Sequence, residues 1–228
     1  MSHVFELSLK RILRQRLMLA MMLAIPVAIT LIPQPEQALP LIGFSLFGLV
    51  LLFSAFLLTK QVLEDRQYRT IIRIAAAPIT HRDYLLGHLG AYLVVMMIQI
   101  VVFWGLAIIL WSAPITFYLW AFSLLVFFAL LSLSFSLFWH TLFKTYATSI
   151  GVYSVVANLL ALLGGMTYPL AFMPDQMRSI VIILPTYWYA YGFELLAEAR
   201  YASVLLSLLI LLGFAIIFLT IGSKRRLQ

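Results

Sequence analysis

From Ile115 to Trp139 the chain runs without one charged side chain, longer than the ~20 apolar residues a helix needs to cross a hydrocarbon core. Comparable runs lie at 17–32, 41–60, 84–111, 146–170 and 203–222. The first is short and carries Pro26, which is expected to kink it. Of the 228 residues, 64% are hydrophobic and 10% are charged, against ~45 to 50% and ~25% in soluble domains. A soluble fold could not hide that much apolar surface. The sequence therefore predicts one integral membrane domain over 1–228, all-α, with six transmembrane helices and no aqueous domain.

The basic residues set an orientation. With the N-terminus inside, every Lys and Arg falls on the inner side except Arg178 and Arg200, a strong positive-inside pattern. Both termini are then cytoplasmic, in a multi-pass protein of an inner or plasma membrane. The net charge of +7 is accounted for by topology and anionic headgroups, so nucleic acid is not an expected partner and the lipid bilayer is. No small-residue cleavage site follows the first apolar run, so the N-terminal segment is expected to remain in the mature protein. Over 1–16, Phe5, Leu9, Ile12 and Leu13 gather on one helical face and Lys10, Arg11 and Arg14 on the other. That pattern predicts an amphipathic interfacial helix. It reads either as a connector braced against a cytoplasmic partner or as a basic anchor.

The stretch that organises the rest is Glu64 to Asp83, EDRQYRTIIRIAAAPITHRD. It is the long charged segment between two spans. Arg66, Arg69, Arg73 and Arg82 surround Ile71, Ile72 and Ile74. Pro78 stops the helical pattern, and Thr80 to Asp83 forms a capping box that starts the next helix. A charged helix tied at both ends to spans is well shaped to take force from a soluble partner; an ordinary cytoplasmic loop fits the same residues.

Between the fifth and sixth spans the pattern breaks. Pro174 and Pro185 bracket an apolar run far too short to cross. Helix-breaking backbone at membrane depth needs protein or water to satisfy it, which predicts an outer re-entrant helical hairpin over 172–194. Tyr187, Trp188, Tyr189 and Tyr191 also suit an aromatic belt at the lipid interface.

Chemistry-bearing patterns are sparse. There is no phosphate-binding glycine motif, so any ATP-driven activity needs another polypeptide. With no cysteine, thiol chemistry and zinc-finger spacing are excluded. His3, His81, His88 and His140 are scattered and are expected to be solvated near the interface, with no metal bound. Glu194 and Glu198 share a helix face beside Arg200, a solvated helix end. Ser132, Ser134 and Ser136 lack a histidine at depth to act as base. Ionisable groups within the spans are few, which argues against a proton-coupled transporter or an ion channel. Asn158 and Gln99 are the strongly polar residues at depth, as helix-to-helix hydrogen bonds or as lining of a path.

The order of features, with Thr70 to Gly87 (TIIRIAAAPITHRDYLLG, holding T-x-x-R-x-x-x-x-P) and Gly164 to Tyr187 (GGMTYPLAFMPDQMRSIVIILPTY), resembles the ABC-2 type permease family, the membrane subunits of ATP-binding cassette exporters. The resemblance covers nearly the whole chain. It departs at Arg69, where family members often have Gly, and at His88, where they often have Lys. It implies a cytoplasmic coupling helix at 64–79 whose Glu64, Asp65, Arg66, Thr70, Arg73 and Pro78 meet the ATPase. It also implies a translocation path and outer gate drawing on Asn158, Tyr168, Pro169, Pro174, Pro185 and Tyr187. A second permease chain, identical or not, and two ABC ATPase subunits carrying ATP and Mg would complete the complex, with no catalytic site or cofactor on this chain. The expected cargo is lipophilic or amphipathic: a peptide, drug or lipid-like molecule. A stand-alone secondary transporter or membrane enzyme is the alternative, and a scaffolding subunit a third.

Overall fold

The computed structural model describes residues 2–33, 41–67, 81–168 and 170–224. Among them the regular elements are all helical: α1 (Ser2–Arg14), α2 (Arg16–Thr30), α3 (Leu41–Gln67), α4 (His81–Leu110), α5 (Ile115–His140), α6 (Tyr146–Leu163), α7 (Asp175–Val181), α8 (Pro185–Ala197) and α9 (Tyr201–Lys224), with a 3-10 turn at Leu170–Phe172. Five of these, α3, α4, α5, α6 and α9, are long and apolar enough to cross a membrane, and α2 makes a sixth when joined to α1 across a 79° bend. At ~1.5 Å per residue, α2 covers only ~22 Å, less than the ~30 Å hydrocarbon thickness. The first expected span is thus the least complete one. The chain is a multi-pass membrane protein of five to six crossings.

Helix α5 is the axle of the bundle. Two-thirds of its apolar stretch (67%) is buried, against 22% for α6, and α9 and α3 make the most extensive packing against it. Its Phe117, Tyr118 and Phe128 join Phe44 and Phe47 of α3, Phe103 of α4 and Phe193 of α8 in the core. Phe47 stacks on Phe103 with centroids 3.9 Å apart, while Phe44 meets Phe103 edge-on at 5.3 Å. Such pairs add orientation to the burial of large apolar area, which fixes the helices in register where lipid supplies no hydrophobic drive between them.

Cross-contacts define two ends. At one, Arg11 meets Asp65, Gln67 reaches the carbonyl of Lys144, and Gly222 lies beside Phe138; we call this the basic end. At the other, Tyr189 donates to the Phe44 carbonyl at 2.6 Å, Tyr118 donates to the Trp111 carbonyl at 2.7 Å, and α8 packs on α9, α5 and α3; we call this the hairpin end. Gly87 allows α1 to lie close on α4, because a Cβ there would come within 2.9 Å of Val4.

Two helices end away from where their apolar runs stop. Helix α3 continues to Gln67, because Val62 and Leu63 are buried and the stretch contains no breaker. Helix α6 stops at Leu163 rather than near Leu170. Gly165 there takes φ +85°, a left-handed conformation that ends helices and favours glycine, and the amide of Met166 returns to the Ala161 carbonyl at 2.9 Å.

Candidate functional site

At the basic end, α1 is tied to the last turns of α3 by charge. Arg11 Nη1 donates to Asp65 Oδ1 at 2.8 Å and Nη2 to Glu64 Oε2 at 3.4 Å. Lys60 Nζ holds the other Glu64 oxygen at 2.9 Å and lies 4.6 Å over the Tyr146 ring. The Asp65 side chain is only 8% exposed, so its carboxylate depends on this guanidinium in a way a surface pair does not. Gln67 Nε2 then donates to the Lys144 carbonyl at 2.9 Å, joining α3 to the turn between α5 and α6. Three parts of the chain therefore meet immediately before residues 68–80.

Two histidines complete this end, and neither is solvated as expected. His88 is 5% and His140 1% exposed. His88 Nδ1 lies 2.9 Å from Ser8 Oγ and 3.0 Å from the Tyr92 hydroxyl; Ser8 itself donates to the Val4 carbonyl. His140 Nε2 lies 3.3 Å from the Phe56 carbonyl and its Nδ1 3.3 Å from Ser149 Oγ, with its ring 4.6 Å from that of Phe56. Packing of α1 on α4, and of α3 on α5, buries both rings beside groups that can bond them. Among the described residues no cluster of three His, Cys, Asp or Glu could hold a metal.

Deeper in the bundle, Gln99 donates to the Met22 carbonyl at 2.9 Å and to Ser54 Oγ at 3.1 Å, tying α4 to α2 and α3. The three serines of α5 serve structure. Ser132 and Ser134 donate to the carbonyls of Phe128 and Leu130, and Ser136 meets the Tyr153 hydroxyl. Gln61 is 2% exposed, yet among the described residues neither atom of its amide has a hydrogen-bond partner.

Along α6, Ser154, Val155, Asn158, Leu159 and Leu162 line a shallow groove of about 380 Å³ on the outside of the bundle. Asn158 Nδ2 donates to the Ser154 carbonyl at 2.7 Å, so this polar side chain stays on its own helix. At the hairpin end, Thr186 Oγ1 donates to the Leu160 carbonyl at 2.7 Å, which ties α8 to α6. Tyr187 is buried and stacks on Tyr191 at 5.5 Å. Arg178 bonds Glu194 at 2.9 Å, and Trp188 Nε1 donates to the Ile182 carbonyl at 2.8 Å. Burial lifts the Glu194 carboxyl above its ordinary range; Arg178 opposes this and Glu198 adds to it.

Of the residues expected to meet an ATPase, Glu64 and Asp65 form the bond to α1 and Arg66 sits in the last turn of α3. Thr70, Arg73 and Pro78 lie outside the described residues, as does the side chain of Arg66. Of those expected at a path or gate, Asn158 and Tyr168 are exposed, Pro174 is the exposed cap of α7, Pro185 opens α8, and Tyr187 is buried beneath. Pro169 lies outside the described residues. Arg11 had only a place on the basic face of α1 in sequence; its acid partners sit 53 and 54 residues away.

A family model, that of the ABC-2 family transporter proteins, matches residues 9–224 of this chain. The chain belongs to the ABC-2 transporter family. The match runs from within α1 to the end of α9, so the Arg11 tie, the α6 groove and the α7 to α8 segment all fall within the ABC-2 region. ABC-2 permeases are transporter membrane components that normally work with an ABC ATPase. No curated protein matches the chain.

Proposed function

We propose that this ABC-2 protein is the permease subunit of an ATP-driven exporter. Two permease chains, identical or different, form the translocation path between them, and two separate ABC ATPase subunits, holding ATP and Mg, dock at the basic end on the cytoplasmic side. Residues 64–79 are the coupling segment. Glu64 and Asp65 hold the segment to α1, while Arg66, Thr70, Arg73 and Pro78 form the face that meets the ATPase. The observation that carries this reading is the three-way tie of α1, α3 and the α5 to α6 turn through Arg11, Asp65, Gln67 and the Lys144 carbonyl. A push delivered just beyond Gln67 acts on all three at once.

The hairpin of α7 and α8 is read as an outer re-entrant gate, with Tyr168, Pro169, Pro174, Pro185 and Tyr187 at its turns. The α6 groove, in which Ser154 and Asn158 stand among Val155, Leu159 and Leu162, suits a lipophilic or amphipathic cargo. Co-purification tests the assembly: an ABC ATPase in equal number to the permease is expected. Thr70→Ala with Arg73→Ala is expected to uncouple substrate-stimulated ATP hydrolysis from transport without loss of membrane insertion. Transport by the purified chain with no ATPase present would overturn the exporter reading in favour of a secondary transporter.

A further inference from the structure

Helices α1 and α2 meet at 79° about Gln15, so when α2 enters the bilayer α1 lies along its surface. The inner side of α1 is fully used: Val4, Ser8 and Ile12 are buried, and Arg11 bonds Asp65 and Glu64. The apex of the bend is the opposite. Leu13, Arg14, Gln15, Arg16 and Leu17 are all exposed, with Leu13 at 55% and Leu17 at 77%. Among the described residues, neither Arg14 nor Arg16 makes a side-chain hydrogen bond or ion pair. The nearby acids are engaged elsewhere: Glu6 with Lys10, and Glu64 and Asp65 with Arg11 and Lys60.

We infer that this apex, Leu13 to Leu17, is a docking surface for anionic phospholipid headgroups. Two leucines flanking two guanidinium groups match the layering of a leaflet. Apolar side chains enter the acyl boundary while cations stay at phosphate depth on flexible stems. The guanidinium plane suits phosphate oxygens in particular. Charge decides the occupant: the apex carries two cations with no acid bonded to either among the described residues, which a zwitterionic surface does not complement and an anionic one does. Each such cation is worth roughly a five-fold preference for an anionic surface, screened by salt. Because α1 also carries Arg11, lipid bound at the apex holds the helix flat and keeps the guanidinium on Asp65. The inference concerns lipid alone and stands apart from ATPase docking.

The chain contains no cysteine, so Gln15→Cys gives one labelling site at the apex. The full-length protein, bimane-labelled there, is reconstituted in phosphatidylcholine vesicles holding about a fifth of either brominated phosphatidylglycerol or brominated phosphatidylcholine, a typical anionic fraction. Quenching by the phosphatidylglycerol is expected to exceed quenching by the phosphatidylcholine by at least about two-fold, and the ratio is expected to approach one in about 0.5 M salt. R14Q/R16Q should abolish the preference at low salt. Equal quenching by the two lipids, a preference that survives high salt or the double substitution, or quenching by aqueous iodide in place of lipid would each overturn the inference. The salt arm uses the unsubstituted arginines and holds even if the double variant fails to fold.

Discussion

Arg11 and Asp65 meet at 2.8 Å, joining α1 to the last turns of α3, where the segment proposed to meet an ATPase begins. One partner is mostly buried and the other is 41% exposed, so the pair lies between a surface ion pair worth ~0 to 1 kcal/mol and a buried one whose rupture costs ~3 to 5. Asp65→Asn is expected to destabilise the bundle by ~1 to 2 kcal/mol on that basis. It should lower thermal stability in detergent and raise hydrogen exchange through α1. The reversal Arg11→Asp with Asp65→Arg should recover part of the loss, and no recovery would show that the two groups act separately.

Gln61 presents the converse case. Its amide is buried with neither atom bonded among the described residues, and an unsatisfied buried polar group costs ~1 to 3 kcal/mol. Gln61→Met keeps the length and removes the polar atoms, and is expected to raise the unfolding temperature. Gln99→Met removes two donor bonds instead and is expected to lower it, by ~0.6 to 1.7 kcal/mol for bonds of this kind in lipid. Paired thermal melts of the two variants give opposite signs if the assignments are right.

Gly165 turns the chain out of α6 at φ +85°, and a Cβ there would overlap Leu170. Gly165→Ala is expected to cost ~1 to 2 kcal/mol from conformation alone, and more from the overlap. The loss should be local, appearing as faster exchange at 164–172 while α3 and α5 stay protected. Uniform loss across the bundle would contradict it.

The Arg178 and Glu194 pair gives a pH dependence. Burial raises the Glu194 carboxyl from its ordinary value of 4.5, so the folded hairpin retains the proton to higher pH than the unfolded chain. That contribution is complete below about 4.5 and is lost as pH rises through the raised value. Hydrogen exchange of α7 and α8, corrected for intrinsic rate, is expected to be slower near pH 4.5 than near pH 7. Glu194→Gln should flatten the difference. A hairpin better protected at pH 7 would reverse the sign.

What could be read in advance follows from the range of the forces involved. The spanning helices were legible because each carries a long apolar run, visible within its own stretch of chain. The interior use of Gln99 was legible for a similar reason, since an amide among apolar neighbours at depth gains from a bond to a neighbouring helix, although Gln61 shows that the gain is not always taken. The burial of His88 was not, because it depends on Ser8 of a helix that packs against it from the far N-terminus. The role of Arg11 was hidden likewise: its basic neighbours suggested a uniform charged face, and only the folded bundle separates the arginine turned toward Asp65 from those left outside. The end of α6 came at the Gly164–Gly165 pair, well short of the residue 170 that hydropathy alone implied, since apolar content does not register a left-handed φ.

Two-thirds of the apolar stretch of α5 is buried, with Phe117, Tyr118 and Phe128 in the core, so on the exporter reading proposed above the cargo is expected to pass along the outside of a single chain. Variation in what is carried should therefore accumulate along the outward groove of α6 and the turns of the hairpin, while the axle tolerates little change. A lineage that acquired a new cargo would record it at Ser154, Asn158 and their neighbours, leaving Phe117 and Phe128 untouched.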